Sequence, residues 1–128
     1  MGKNKQVVST DDAPAAVGAY SQGIAANGFV FTAGQIPLTP DGELVEGSVE
    51  EQTRQALENV EAVLEEAGAS LGDAVKVTVF LDDIDDFDEM NSVYKEFFDD
   101  EPPARSAVEA GEIPKGVDVE IEAVAVAE

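Results

Sequence analysis

The stretch Val75-Lys-Val-Thr-Val-Phe-Leu81 decides the fold class of this chain of 128 residues. It is rich in β-branched residues, and its side chains fall into two sets that alternate along the chain. The two sets are Val75, Val77, Val79 and Leu81, and Lys76, Thr78 and Phe80. A β-branched run with a period of two predicts a strand. Helical patterns lie on both sides of this strand.

The first helical pattern precedes the strand. Ser48 and Glu51 have the spacing of a capping box, in which each residue bonds to the other's backbone at the start of a helix. Gly68 follows the pattern and favours a helix end there. The side chains at helical spacing are Thr53, Leu57, Val60, Leu64 and Ala67. The pattern predicts a helix over residues 49–67.

The second helical pattern follows the strand, and its apolar face also carries one amide, Asn91. A buried amide needs hydrogen-bond partners, so Asn91 is expected to make either a structural bond inside the fold or a contact to a ligand. Two acidic residues and Pro102-Pro103 then end the helix. The apolar side chains of the face are Phe87, Met90, Tyr94, Phe97 and Phe98.

Short strand patterns occupy the two ends of the chain. Asn27-Gly28 tolerates the positive φ of a tight turn and predicts a hairpin. Pro114-Lys115-Gly116 predicts another turn. The expected strands cover residues 6–9, 24–26, 29–33, 105–110 and 118–127. The order βββαβαββ predicts one α+β domain over residues 1–128, a mixed six-stranded sheet with two helices on one face. The other face is left uncovered, which predicts oligomerisation.

Composition excludes several classes of chemistry. There is no Cys or His, so thiolate nucleophiles, imidazole bases and ordinary zinc sites are ruled out. The 28 acidic and 7 basic residues give a net charge of −21, which repels nucleic acid. This excess is typical of a halophilic protein in a high-salt cytosol. Divalent cation binding by Asp82-Asp83 and Asp85-Asp86 is the alternative for the acidic runs.

The sequence carries no secretory signal pattern and no long apolar stretch. We therefore expect a cytoplasmic protein that does not enter a membrane.

Two carboxylates share one face of the last predicted strand. Glu120 and Glu122 alternate with apolar residues and lie on the same side as Val124 and Val126. They are either a solvated strand end or, if one is buried, a general base with a raised pKa.

Arg105 opens the preceding strand and is one of only two arginines. A guanidinium clamps a carboxylate through two hydrogen bonds, so Arg105 is a candidate anchor for a small acid. An ion pair with Glu120 or Glu122 across the sheet is the structural alternative. Tyr20 and Gly34 lie near glycine-containing turns, a weak signal for backbone donors near a ligand.

Four blocks follow one another along the chain. They are Ala13-Pro-Ala-Ala-Val-Gly-Ala-Tyr-Ser-Gln22, Thr32-Ala-Gly-Gln-Ile-Pro-Leu38, Pro103-Ala-Arg-Ser-Ala-Val108 and Ile113-Pro-Lys-Gly-Val-Asp-Val-Glu-Ile-Glu122. Together and in this order they resemble the RidA (YjgF-like) family of reactive intermediate deaminases. The resemblance covers nearly the whole chain.

The resemblance implies a chorismate-mutase-like homotrimer with ligand clefts between subunits. It also implies hydrolysis of reactive imines or enamines, such as 2-iminopropanoate and 2-iminobutanoate, to 2-oxo acids and ammonia without a cofactor or metal. Arg105 would hold the substrate carboxylate and Glu120 would position or activate water. The other implied pocket positions are Tyr20, Asn91, Gly34 and Ala107.

Two positions depart from the pattern of familiar relatives, which often carry Ser where Ala33 stands and Cys where Ala107 stands. The missing Ser hydroxyl at Ala33 bears on substrate preference, whereas the Cys is not the family's nucleophile. The main alternative is a non-catalytic trimer that binds or senses small carboxylates through Arg105. Holdase and RNA-cleaving roles, also proposed for relatives, fit an acidic chain without His less well.

Overall fold

The computed structural model describes residues 4–127. Its strands are β1 (Lys5–Val8), β2 (Gly23–Ala26), β3 (Phe29–Thr32), β4 (Ala74–Leu81), β5 (Ala104–Glu109) and β6 (Val119–Val126), and its helices are α1 (Val49–Glu66) and α2 (Phe87–Tyr94). Within these residues the six strands form one sheet in the order β1-β2-β3-β6-β4-β5. Among these described strands, only the β4–β5 pair is parallel. The mixed six-stranded sheet with two helices is therefore confirmed.

Helix α1 begins as the sequence predicts. The Ser48 Oγ accepts a hydrogen bond from the Glu51 N–H at 3.2 Å, and the Ser48 N–H donates to Glu51 Oε1 at 2.9 Å. These two bonds satisfy backbone donors that the first helical turn leaves free. The second helix is shorter than its apolar pattern, because α2 ends at Tyr94 and a 3-10 turn, Lys95–Phe97, follows.

Both helices pack on one face of the sheet and bury it. The shared core contains Leu57, Val60, Leu64 and Met90 from the helices and Val30, Val77, Val79, Leu81, Val119, Ile121, Ala123 and Ala125 from the sheet. The predicted alternation of β6 is confirmed, since these four β6 residues are buried and the intervening ones are half-buried.

One residue of β4 departs from the period of two. A bulge between Ala74 and Lys76 shifts the register against β6. Ala74 is consequently buried and Val75 is 43% exposed, whereas the sequence placed Val75 on the same face as Val77. That placement was wrong because a bulge inserts one extra residue into the strand.

The opposite face of the sheet has no helix over it among residues 4–127 and keeps large apolar side chains exposed. Phe29 and Phe31 are 41% and 45% exposed, Val7 is 66% exposed and Val108 is 43% exposed. We call this surface the open face. Within residues 4–127, no helix is long and apolar enough to cross a membrane.

Candidate active site

Glu120 projects from β6 onto the open face, beside the segment that follows β3. The backbones of Gln35 and Ile121 exchange two hydrogen bonds, at 2.7 and 3.0 Å, which hold this segment against β6. Gly34 then lies so close to Glu120 that an added Cβ would overlap the carboxylate oxygen Oε2. Glycine at this position therefore makes room for the Glu120 carboxylate.

A cleft of about 480 Å³ opens beside this carboxylate, and Tyr20, Ala33, Gly34 and Glu120 all line it. Its lining is mainly apolar, so a ligand there would lie against carbon surface and meet few polar groups. Tyr20 is 53% exposed. We call this space the Glu120 cleft.

Gln22 fixes one wall of the Glu120 cleft. Its side chain is 3% exposed. Its amide nitrogen donates to the carbonyls of Thr10, Ala13 and Pro14, and its Oε1 accepts from the Thr10 N–H at 2.7 Å. These hydrogen bonds hold the loop before Tyr20 in place. They also pair the buried amide of Gln22, which would otherwise be costly to bury.

The carboxyl of Glu120 has a perturbed acidity. Partial burial against the apolar sheet surface raises its pKa above the ordinary value, and the neighbouring charge of Glu122 raises it further. Burial is the larger cause. A carboxylate with a raised pKa is a better proton acceptor, and of the two glutamates only Glu120 lines the cleft.

Arg105 lies on the opposite side of the sheet. It pairs with Val77 of β4, a residue of the helix-covered face, whereas Glu120 and Glu122 pair with Phe80 and Thr78 on the open face. The ion pair between Arg105 and Glu120 or Glu122 that the sequence left open is therefore absent. This structural alternative was wrong because the parallel register with β4 places Arg105 on the other face of the sheet.

The guanidinium of Arg105 instead contacts α2. Its Nη1 donates to Asn91 Oδ1 at 2.7 Å, which confirms a structural hydrogen bond for Asn91. Its Cζ lies 4.6 Å from the Tyr94 ring centroid and 5.1 Å from that of Phe87. Asn91, Tyr94 and Arg105 line a second cleft, of about 370 Å³. We call it the Arg105 cleft.

Ala107 lies two residues after Arg105 on β5, at the edge of the sheet. β5 is the last strand of the sheet, and the Ala110 N–H donates inward to Leu81 O. Backbone groups alternate in direction along a strand, so those of Arg105 and Ala107 point outward, away from β4. They are free to bond to a ligand or to another chain.

Within one chain, the two clefts share no lining residue among residues 4–127. Glu120 aligns with Phe80 and Val108 across the sheet, so it lies two strands, or about 10 Å, from β5. Arg105 is a further three residues along β5, about 10 Å, and on the other face. The structure thus groups Tyr20, Ala33, Gly34 and Glu120 in one cleft, and Asn91 and Arg105 in another.

Sequence reasoning missed the role of Gln22 in the Glu120 cleft and the contacts of Phe87 and Tyr94 with Arg105. Phe87 and Tyr94 read as ordinary core residues of an amphipathic helix, and no local signal marked their contact with Arg105. Gln22 did carry a signal in the sequence, because it is a polar residue placed between a turn and the strand β2.

The acidic runs Asp82-Asp83 and Asp85-Asp86 lie at a turn after β4. Asp83 Oδ1 accepts from the Asp85 N–H at 2.9 Å and caps the short 3-10 turn Ile84–Asp86. Among residues 4–127, no three Asp or Glu side chains are grouped as metal ligands.

Comparison with known proteins places the chain in a family. The family model described as Endoribonuclease L-PSP, the RidA (YjgF-like) family, matches residues 10–127. The chain belongs to the RidA family. A RutC family protein of Pyrococcus abyssi is 53% identical over 122 residues, which are 94% of this chain and 96% of that protein. TdcF of Escherichia coli K12, provisionally named a reactive intermediate deaminase, is 46% identical over 95% of this chain and 97% of its own.

Solved structures of RidA relatives have the same fold. Yeast Mmf1 superposes with a TM-score of 0.95 at 46% identity, over 98% of this chain and all of its own. Escherichia coli TdcF with bound serine superposes with a TM-score of 0.91, over 96% of this chain and 99% of its own.

The close approach of Gly34 and Glu120 yields a prediction about acidity. In Gly34→Ala the new Cβ displaces a flexible carboxylate instead of backbone, so the free energy of unfolding should change by less than about 1 kcal/mol. The displaced Glu120 should be better hydrated, and its pKa should fall toward the ordinary value. Carbon-13 NMR titration of the glutamate carboxyls measures this.

Gly111→Ala is the matched control, because a Cβ there meets open space and Gly111 has no positive φ. A Glu120 pKa that is equal in wild type and Gly34→Ala would contradict the role of Gly34.

Proposed function

We propose that this RidA protein hydrolyses reactive 2-imino and enamino acids, such as 2-iminopropanoate and 2-iminobutanoate, to 2-oxo acids and ammonia. The observation that carries the proposal is that Arg105 has no carboxylate partner: no salt bridge within residues 4–127 involves it. A guanidinium without a carboxylate partner in its own chain is available for an ion pair with an acidic ligand. The relationship to TdcF supports the deaminase reaction.

In the proposed reaction Arg105 binds the carboxylate of the protonated imine and fixes its orientation. A water adds to C2 and forms the new C–O bond, while Glu120 accepts one proton from that water. Glu120 returns this proton to the nitrogen of the resulting carbinolamine. The C–N bond breaks, ammonia leaves with the bonding pair, and loss of the hydroxyl proton to the ammonia leaves the 2-oxo acid and ammonium.

The reaction requires Arg105 and Glu120 in one cleft, although each chain holds them in separate ones. We propose a homotrimer in which the open faces pack together and the outward edge of β5 in one subunit closes the Glu120 cleft of the next. The exposed apolar side chains of the open face and the free backbone groups of Arg105 and Ala107 support this arrangement. Tyr20, Asn91 and Ala33 would complete the pocket.

Arg105→Ala should abolish imine hydrolysis with the fold retained, because the carboxylate anchor supplies both binding and orientation. Arg105→Lys should restore only part of the activity, since an ammonium lacks the two parallel donors of a guanidinium. The measurement is the decay of 2-iminobutanoate, generated in situ by an amino-acid dehydratase, in high KCl. Wild-type rates in a folded Arg105→Ala protein would refute the anchor.

Glu120→Gln should lower kcat strongly and KM little, because the amide keeps its hydrogen bonds but accepts no proton. In the wild type, activity should fall as the pH drops through the raised pKa of Glu120. Glu122→Gln removes a like charge, so the pKa of Glu120 falls and this acidic limb should move to lower pH. A pH profile of kcat/KM checks both variants; an inactive Glu122→Gln beside an active Glu120→Gln would reverse the assignment.

Mixing two inactive variants tests the shared cleft. Arg105→Ala and Glu120→Gln chains should dissociate in low salt, because the charge of −21 on each chain is then poorly screened. Returned to high KCl together, they should regain activity. With random mixing about one cleft in four combines both intact residues. Sedimentation measures assembly, and an inactive mixture of correctly assembled chains would contradict the shared cleft.

A non-catalytic trimer that binds small carboxylates is the alternative, and the TdcF structure with bound serine favours it, since serine carries an α-carboxylate. The imine assay separates the two functions. No acceleration with several imines, together with retained carboxylate binding, would establish the alternative. RNA cleavage, suggested by the family description, is disfavoured by the net charge of −21 and the lack of His.

A further inference from the structure

The two arginines of the sequence have contrasting surroundings. Arg54 Cζ lies 5.9 Å from the Phe97 ring centroid, and Arg54 Nη2 also forms a salt bridge of 2.9 Å with Glu96. Arg105 likewise lies against aromatic rings, but its side-chain hydrogen bond goes to a neutral amide. Aromatic rings and an amide hold a guanidinium in place without cancelling its charge.

Three side chains on one face of α2 surround Arg105. Phe87, Asn91 and Tyr94 are spaced by four and three residues, which places them together on the helix surface. The bond to Asn91 uses one of the five guanidinium N–H donors and leaves the others for a ligand. The chain has 28 acidic residues, and within residues 4–127 none forms a salt bridge with this guanidinium.

We infer that Phe87, Asn91 and Tyr94 form a neutral cradle, which orients Arg105 and keeps its charge available for the carboxylate of a small 2-oxo or 2-imino acid. Phe87 and Tyr94 are positioning residues that act through Arg105. The inference rests on the proposed role of Arg105 as the carboxylate anchor. It adds a requirement that the anchor alone does not make: the side chains that contact the guanidinium must be uncharged, and the Lys95 and Asp99 that line the wider cleft form no salt bridge with it.

The ring of Tyr94, not its hydroxyl, does this positioning. Tyr94 is 4% exposed, and its hydroxyl oxygen is buried without a hydrogen-bond partner among residues 4–127. A ligand oxygen does not reach a buried atom, so the hydroxyl has no direct ligand contact. Burial raises the pKa of Tyr94, against a smaller opposing effect of Arg105, so the phenol stays neutral beside the guanidinium.

Asn91→Asp tests the requirement for neutrality. The substitution keeps the size and the acceptor but places a carboxylate against Arg105, where it competes with a ligand carboxylate. Binding of 2-oxobutanoate, measured by titration calorimetry, should weaken at least about tenfold, whereas the Tm should stay equal or rise because of the new ion pair. A merely structural role of Asn91 would instead lower the Tm and spare the affinity.

Glu96→Gln is the matched control, since it removes a carboxylate from the other arginine and should leave 2-oxobutanoate affinity unchanged. An Asn91→Asp protein that binds 2-oxobutanoate as tightly as wild type would overturn the neutral cradle.

Tyr94→Leu and Tyr94→Phe separate the ring from the hydroxyl. Tyr94→Leu should weaken 2-oxobutanoate binding about five- to tenfold, because the guanidinium loses a cation–π contact and its fixed orientation. Tyr94→Phe should bring the affinity back to within about twofold of wild type. Phe97→Leu removes the ring beside Arg54 and controls for loss of an aromatic side chain.

Equal weakening in Tyr94→Phe and Tyr94→Leu would overturn the role of the ring. Wild-type protein that binds 2-oxobutanoate no better than Arg105→Ala would overturn the ligand role of the cradle. Wild-type binding without imine turnover would refute only the deaminase function, because these measurements need no catalysis.

Discussion

Strand β6 links the core to the candidate site. One set of its alternating side chains is buried in the core, and the other set includes Glu120 of the site. The strand pairs with β3 on one side and β4 on the other, so its register is held from both edges. Val119 and Ile121 face the helices and are fully buried. Because side chains alternate between the two faces of a strand, Glu120 must face away from the core. A shift of one residue would bury Glu120 and expose the core set, so the free energy of core burial also fixes the carboxylate.

Charge imposes a second constraint, because in a chain this acidic a free cation is easily neutralised. The fold avoids this at Arg105 by turning it to the helix-covered face, while Glu120 and Glu122 project from the open face. The parallel β4–β5 pair makes the separation possible, since it requires a long crossover through α2. That crossover helix also supplies the rings and the amide that hold the guanidinium. The same connection therefore sets the topology and the surroundings of the anchor.

Much of the fold followed from local signals in the sequence. The capping box at Ser48 and Glu51 located the start of α1, and Asn27-Gly28 marked the hairpin, where both residues have positive φ. The bulge at Val75 had no such signal, since an extra residue in a strand is defined by its partner strand. The face of Arg105 was equally hidden, because it depends on register with β4. The contact between Gly34 and Glu120 arises from pairing of distant segments.

Residue patterns marked Arg105 and Glu120 as candidates, and the family resemblance gave them roles and added Ala33 and Ala107. The division of the pocket residues between two clefts appears only in three dimensions. This division has a physical advantage for the proposed reaction. Glu120 is a better base when apolar surface raises its pKa, whereas Arg105 binds a carboxylate better when its charge is uncompensated. If both lay side by side in one chain, the guanidinium would lower the pKa of Glu120 and the carboxylate would neutralise the guanidinium. On opposite faces, each group is set by its own neighbours, and in the proposed trimer they meet across a subunit boundary with substrate between them.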